Sequence, residues 1–217
     1  MKPLKSLRST PVLLGGALLL TATACGGQKW SEVENDSIRT VTQKGGATLG
    51  YSAQSGVQLL TVDGFAFKDL NRNGQLDKYE DWRLKPEQRA ADLASQLSVE
   101  EIAGLMLYSA HQSIPGASKG FGSSLYNGKP FAESGCEASD LSDAQRKFLV
   151  EDNVRHVLIT KVQSPEVAAR WNNNVQALVE GIGHGIPANN SSDPRHGTQA
   201  DTEYNYGSGG QISLWPG

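Results

Sequence analysis

The rhythm of apolar residues changes several times along this chain, and each change predicts a different element. An unbroken apolar run from Val12 to Leu20 comes first. Between Val57 and Phe67 the apolar positions Val57, Leu59, Leu60, Val62, Phe65 and Phe67 fall partly on a period of two, which predicts one or two short strands. The period then lengthens. Pro86-Glu87-Gln88-Arg89 opens a helix with proline at its first position and acid in its first turn, and Ala90, Leu93, Ala94 and Leu97 share one face of it. Ser98-x-x-Glu101 is a capping box for a second helix, predicted to turn Ile102, Leu105 and Met106 inward. Ser142 caps a third, reaching to about Asp152 with Phe148 and Leu149 inward, and Val154 to Thr160 reads as a buried strand. Ser164-Pro165-Glu166 starts a long helix striped by Val167, Trp171, Val175 and Leu178. Gly185 to Ala188 is the next strand, and Gln211 to Pro216 predicts one more. Strand, helix, strand is the unit of a parallel sheet, so this half of the chain reads as α/β.

Two stretches have no such rhythm. Ser109 to Ser139 carries Gly116, Gly120, Gly122, Gly128 and Gly135, and a loop this long in a compact domain either serves a site or stands in solvent. As a flap it would act through Tyr126, Asn127 or Phe131. The chain's start is the other. Lys2, Lys5 and Arg8 precede the run from Val12 to Leu20, and Thr21-Ala22-Thr23-Ala24-Cys25 follows it. A basic start, a short apolar core and small residues describe a secretory signal over residues 1–24, too short to span a membrane. Small residues before Cys25 and Gly26-Gly27 after it suit lipoprotein processing with acylation of Cys25, although Ala22 stands three before the cysteine, where leucine is usual. Ordinary cleavage beside an incidental cysteine is the other reading. On the first, the protein is exported and held by a lipid on Cys25, in the periplasm or at the outer membrane or cell surface of a bacterium. Residues 25–56, rich in Gly, Ser, Thr and charge, read as a tether and N-terminal extension ahead of a domain over residues 57–217.

Charge and cysteine narrow the choice of partners. Removing residues 1–24 takes away Lys2, Lys5 and Arg8 and no acid, leaving 17 basic against 23 acidic residues and a net charge of −6. No basic patch accompanies that balance, so nucleic acid is not an expected partner. Cys136 is the other of two cysteines, and with Cys25 acylated it has nothing to pair with. His111, His156, His184 and His196 show no His-Glu-x-x-His spacing, and Gly207-Ser208-Gly209-Gly210 lacks the Lys-Ser/Thr of a phosphate loop.

The stretch from Asp69 to Glu80 does match a known spacing. Asp69, Asn71, Asn73, Gly74, Gln75, Asp77 and Glu80 occupy positions 1, 3, 5, 6, 7, 9 and 12 of the EF-hand loop pattern. In that pattern oxygen-bearing side chains alternate, glycine makes the sharp turn, position 7 offers its main-chain carbonyl and the final Glu closes on Ca²⁺ with both oxygens. No helix-forming pattern leads into Asp69, Pro86 interrupts the exit and no second such loop pairs with it. A calcium site at residues 69–80 and an Asn/Gly-rich structural turn both remain open.

A second polar cluster closes the α/β half. The apolar step Gly185-Ile186-Pro187-Ala188 runs into Asn189-Asn190-Ser191-Ser192-Asp193-Pro194-Arg195-His196-Gly197, as a buried strand does when it ends at a polar site. Asp193 and His196 are the candidate ligand-binding residues there. Asp193 offers a carboxylate to hydroxyl groups, or caps the turn ahead of Pro194; His196 orients Asp193 or holds the loop backbone.

This segment resembles the Asp-x-x-His-Gly stretch of glycoside hydrolase family 3, the β-glucosidase family. Phe67-Lys68-Asp69-Leu70-Asn71-Arg72-Asn73-Gly74, Tyr79-Glu80-Asp81-Trp82-Arg83 and Leu97-Ser98-Val99-Glu100-Glu101 resemble, in the same order, the opening of secreted bacterial members. The resemblance extends over roughly residues 30–217. It implies the N-terminal part of a (β/α)8 TIM-type barrel, cut before completion; a whole barrel takes about 250 residues. It implies hydrolysis of β-linked glucosides or oligosaccharides by a retaining pair of carboxylates, with Asp193 holding sugar hydroxyls. In the family the nucleophilic Asp, the acid/base Glu and a sugar-binding Lys-His pair come later than any segment matched here, so the expected catalytic residues lie past Gly217. Two other readings stay beside this one. One is a non-catalytic surface lipoprotein that binds glycans through the same half-site, and the other an extracellular module stabilised by calcium.

Overall fold

A computed structural model describes residues 27–110, 125–158 and 163–191. Cys25, Asp193 and His196, together with residues 1–24 and the strand expected at Gln211 to Pro216, lie outside the described residues.

The chain begins with a three-stranded antiparallel sheet, β1 (Trp30–Asn35), β2 (Ile38–Gln43) and β3 (Leu49–Ser52), in that spatial order. The tether expected over residues 25–56 is therefore, from Trp30 onward, folded structure. Its strands are polar on their outer face and send few residues inward, chiefly Val41 and Tyr51, so they carry little hydrophobic rhythm. Asp36, at φ 53°, makes the tight β1–β2 turn, a conformation Asp tolerates better than most residues. A hairpin follows, β4 (Gln58–Val62) and β5 (Phe65–Asp69), where one or two short strands were expected. Its turn is Asp63-Gly64, with φ 55° and 83°, the positive pair that suits the twist of a two-residue hairpin. Gln43 joins sheet to hairpin as a strand backbone would: its amide donates to Ala66 O at 3.2 Å and accepts from Ala66 N at 2.7 Å. Val41, Tyr51, Val57 and Ala66 form the core between them.

Helices α1 (Pro86–Gln96) and α2 (Val99–Leu105) start where their signals place them, α2 with both bonds of its Ser98/Glu101 capping box. Their inward faces differ from expectation. No α1 residue is buried, and Ile102 of α2 and Met106 at its C-cap are 40% and 82% exposed. Gly104 explains this. It is the one buried residue of α2, and a Cβ there would stand 2.5 Å from both Asp152 O and Asn153 Cβ. The helix thus docks on its glycine face and turns the opposite face outward. Gly104→Ala is expected to lower stability by about 1–3 kcal/mol, the usual cost of overpacking a close contact, as a lower urea midpoint at unchanged m.

The rest is α/β. β6 (Tyr108–Ala110), β9 (His156–Leu158) and β10 (Asn189–Ser191) form a parallel sheet with β9 central. Between them come the small hairpin β7 (Leu125–Tyr126) and β8 (Lys129–Pro130), the short helix α3 (Phe131–Ser134), α4 (Asp143–Val150) and α5 (Pro165–Glu180). The stretch from Ser109 to Ser139 is thus partly structured. Leu141, Leu149, Val157, Trp171, Val175, Val179 and Ala188 make the second core, so the stripe on α5 faces it. Its fourth member is Val179, fully buried, with Leu178 half-buried against the cluster.

The strand expected at Gly185 to Ala188 begins four residues later. Gly183 and Gly185 have φ 52° and 63°, and Pro187 has no N–H to give a ladder. Instead the Gln176 side chain satisfies Ala188, donating to its carbonyl at 2.8 Å and accepting from its N–H at 3.1 Å. The two cores meet through α5: Glu180 accepts from Lys68 Nζ at 2.6 Å and from the Ser52 N–H at 3.1 Å.

Candidate functional site

The loop from Asp69 to Glu80 leaves the end of β5 and closes on itself. Asp69 Oδ1 accepts from Asn73 N at 3.1 Å and Oδ2 from Gly74 N at 3.0 Å. Gly74 has φ 74° and Arg72 φ 60°, so the chain turns sharply at the sixth position of the pattern. The side-chain amides of Asn71 and Asn73 both donate to Asp77 Oδ2, at 2.6 and 2.8 Å. Glu80 reaches back across the ring, Oε1 taking the Leu70 N–H at 2.7 Å and Oε2 the Asp77 N–H at 3.0 Å. Asn71, Asn73 and Asp77 are thus brought together, Asp69 and Glu80 hold main-chain N–H groups of the same loop, and Gln75 lies in it with its N–H on Asn73 Oδ1 at 2.7 Å. Among the described residues, no three His, Cys, Asp or Glu side chains stand grouped as a metal cluster. A cation here would draw half of its donor residues from two amides and a carbonyl.

Burial and charge set the loop apart from an ordinary surface turn. Asp69 and Glu80 are 3% and 4% exposed. Burial pushes the Glu80 carboxyl above the ordinary range, against the pull of the N–H groups of Asp77, Leu70 and Asn71. Burial, with Glu80 beside it, also raises the Tyr79 phenol. Asp81 goes the other way. Arg83 grips it with Nε at 2.9 Å and an Nη at 2.7 Å, which lowers its carboxyl, and reaches Asp63 at 2.8 Å. The same guanidinium lies 4.8 Å from the Phe67 ring centre, and Phe67 stacks on Trp82 at 5.1 Å. Tyr79-Glu80-Asp81-Trp82-Arg83 therefore fastens the loop's exit onto the β4–β5 hairpin.

Asp193 and His196 follow β10 in the chain, and the described part ends at Ser191. What precedes them is polar on both sides of the strand. Asn190 donates to Asn172 Oδ1 at 2.6 Å while its own amide oxygen is buried without a partner, and Asn189 meets His156 Nδ1 at 3.2 Å. The His156–Asn189 pair stands at the start of the paired strands. In parallel barrels chemistry gathers at the opposite ends, where the strands run out into their following loops. Sequence reasoning missed this pair and Asn172; the run Asn172-Asn173-Asn174 inside a helix, where Asn is a poor former, was the available signal. It also missed the pairing of Tyr79 with His184, whose rings meet edge-on at 6.1 Å.

With this geometry in view, similarity to known proteins narrows the class. No family model matches the chain. Over 163 residues, 74% of its length, the chain is 39% identical to a protein of Dickeya chrysanthemi named periplasmic beta-glucosidase/beta-xylosidase. That stretch is 22% of the relative, so the chain spans about a fifth of the length of the curated protein it matches. The likeness supports placing the chain among glycosidases. Among the described residues no helix is long and apolar enough to cross a membrane.

Proposed function

We propose that this chain belongs to an exported glycoside hydrolase of family 3 and supplies the opening of its barrel and part of its sugar subsite. The observation that carries the reading is the 39% identity to a periplasmic beta-glucosidase/beta-xylosidase over most of this chain. The order of motifs agrees with it, from Phe67-Lys68-Asp69 through Leu97-Ser98-Val99 to Asp193-Pro194-Arg195-His196-Gly197. So does the β9–α5–β10 unit, a parallel strand pair joined by a helix, which is the repeat from which a TIM-type barrel is assembled.

On this reading the substrate is a β-linked glucoside or oligosaccharide. Asp193 accepts hydrogen bonds from sugar hydroxyls, where its charge makes them stronger than neutral ones, and His196 positions it. Bond cleavage needs two carboxyl groups about 5–5.5 Å apart, one attacking the anomeric carbon and one passing a proton to and from the leaving oxygen. Neither is assigned to this chain; both belong to later segments of the whole enzyme. Export follows from the signal-like residues 1–24, and a lipid on Cys25 would hold the enzyme at a membrane surface. Residues 1–217, purified alone, are expected to release no phenol from an aryl β-glucoside. Turnover above a heat-inactivated control would show that the reacting carboxylates lie within this chain.

A further inference from the structure

We propose that the loop Asp69–Glu80 binds one calcium ion, held by the carboxylates of Asp69, Asp77 and Glu80, the amide oxygens of Asn71 and Asn73, and the main-chain carbonyl of Gln75. The site is independent of the glycosidase reading and stands on three observations of different kinds.

The first is the donor set. Six oxygen-bearing residues with the spacing of a calcium loop are folded into one ring, with Gly74 at the turn. All the donors are hard oxygens, which suits calcium over a transition metal. The amides of Asn71 and Asn73 now show their nitrogens to Asp77. A half-turn of either amide exchanges nitrogen for oxygen without moving the backbone.

The second is charge. Among the described residues none of the three carboxylates is paired with a basic side chain, although four basic residues stand close by in sequence and structure. These four are committed elsewhere, while Lys78, inside the loop, is exposed. Arg72, inside the loop, turns its guanidinium out to the carbonyls of Gly181 and Ser55. Lys68 pairs with Glu180, Arg83 with Asp81 and Asp63, and Arg89 donates to Tyr79 O at 2.9 Å. Two of the carboxylates are almost fully buried. Buried negative charge without a counter-ion is unfavourable, and the fold has committed Lys68, Arg72, Arg83 and Arg89 to other partners.

The third is Tyr79. It is 5% exposed, and its hydroxyl makes no hydrogen bond. Tyr79 directly precedes Glu80, the closing residue of the loop, and its N–H is held by Asp92 of α1 at 3.1 Å, so the ring is fixed where the loop ends. A buried hydroxyl seldom goes unpartnered, and a water in the shell of a bound cation would give it a partner.

Occupancy would have a mechanical effect. The loop touches three elements: β5 runs into it, Asp92 of α1 accepts the Tyr79 N–H at 3.1 Å, and Arg72 caps the end of α5. A cation closing the ring would therefore stiffen the joint between the N-terminal sheet and the α/β half.

The test uses chelator-treated protein titrated with calcium chloride in a calorimeter, with far-UV circular dichroism recorded before and after. One ion is expected to bind, saturating at or below about 10⁻³ M, the range of extracellular calcium modules. Melting temperature should be higher in calcium than in chelator. Glu80→Gln and Asp69→Asn should weaken binding at least tenfold while the dichroism spectrum is kept. Terbium, a luminescent stand-in for calcium, gives a readout on the wild type alone, since Tyr79 in the loop and Trp82 just after it serve as sensitisers; its emission should rise on binding and fall when calcium displaces it. Folded wild-type protein that neither binds calcium up to about 10 mM nor sensitises terbium would overturn the proposal. So would folded variants that bind as tightly as the wild type.

Discussion

Asp193→Ala in the complete enzyme is expected to lower kcat/KM for an aryl β-glucoside by about a hundredfold to a thousandfold, with each factor of ten worth about 1.36 kcal/mol of transition-state binding. The effect is electrostatic. A carboxylate that accepts from two sugar hydroxyls in a water-poor subsite makes charge-assisted bonds, and these tighten as the ring flattens toward the oxocarbenium-like transition state. The loss should therefore fall on kcat as well as KM. Asp193→Asn keeps the shape but loses the charge, and should recover only part of the activity. Steady-state kinetics on both variants, with melting curves to show that they fold, checks this. If Asp193→Ala retained near wild-type kcat/KM, the side chain would be a turn cap ahead of Pro194.

The largest stability loss should come from Trp171→Ala, at about 3–5 kcal/mol, the usual range for emptying a large aromatic site. Trp171 is 1% exposed and packs with Leu141, Leu149, Val157, Val175, Val179 and Ala188, which come from α4, α5, β9 and the segments beside them. Its indole N–H donates to Gln145 Oε1 at 3.4 Å, so truncation costs a polar contact as well as volume. Urea denaturation followed by circular dichroism measures the change; a loss below about 1 kcal/mol would mean that this cluster does not anchor the α/β half. On the same helix, Glu166→Ala serves as the contrast. Its pair with Arg170, at 2.9 Å, is exposed on both sides, and removing such pairs seldom moves stability by more than about 1 kcal/mol.

What could be read from the sequence was whatever depends on local spacing. The Ser98/Glu101 capping box, the Pro165 start of α5, the Val57–Phe67 hairpin and the ring at Asp69–Glu80 each follow from residues within a turn or two of one another. The first sheet was not legible, because β1 to β3 are short and polar outside and owe their place to distant partners such as Ala66 and Glu180. The outward face of α2 escaped for a related reason. Periodicity shows that a helix has an apolar face, but Gly104 and the backbone at Asp152 and Asn153 decide which face docks. Pattern also placed the strand at Gly185 too early, since it registers the apolar character of Ile186, Pro187 and Ala188 without asking what their backbone N–H groups can do. Of the candidate site, the loop itself was legible by spacing, and its residues are tied by hydrogen bonds into one closed turn. The buried environment that distinguishes them, with Tyr79 against His184 and Arg72 turned toward Gly181, depends on contacts more than a hundred residues apart. Asp193 and His196 were legible from the change of polarity after Ala188, and they lie outside the described residues.

The central claim is that this chain helps to build a retaining β-glycosidase. Proton NMR of an aryl β-glucoside, recorded in the first minutes of hydrolysis by the complete enzyme, tests it most directly. The sugar released first is predicted to be the β-anomer, with the α-anomer growing in only as the solution mutarotates. Release of the α-anomer first, or no hydrolysis by the folded enzyme, would contradict it.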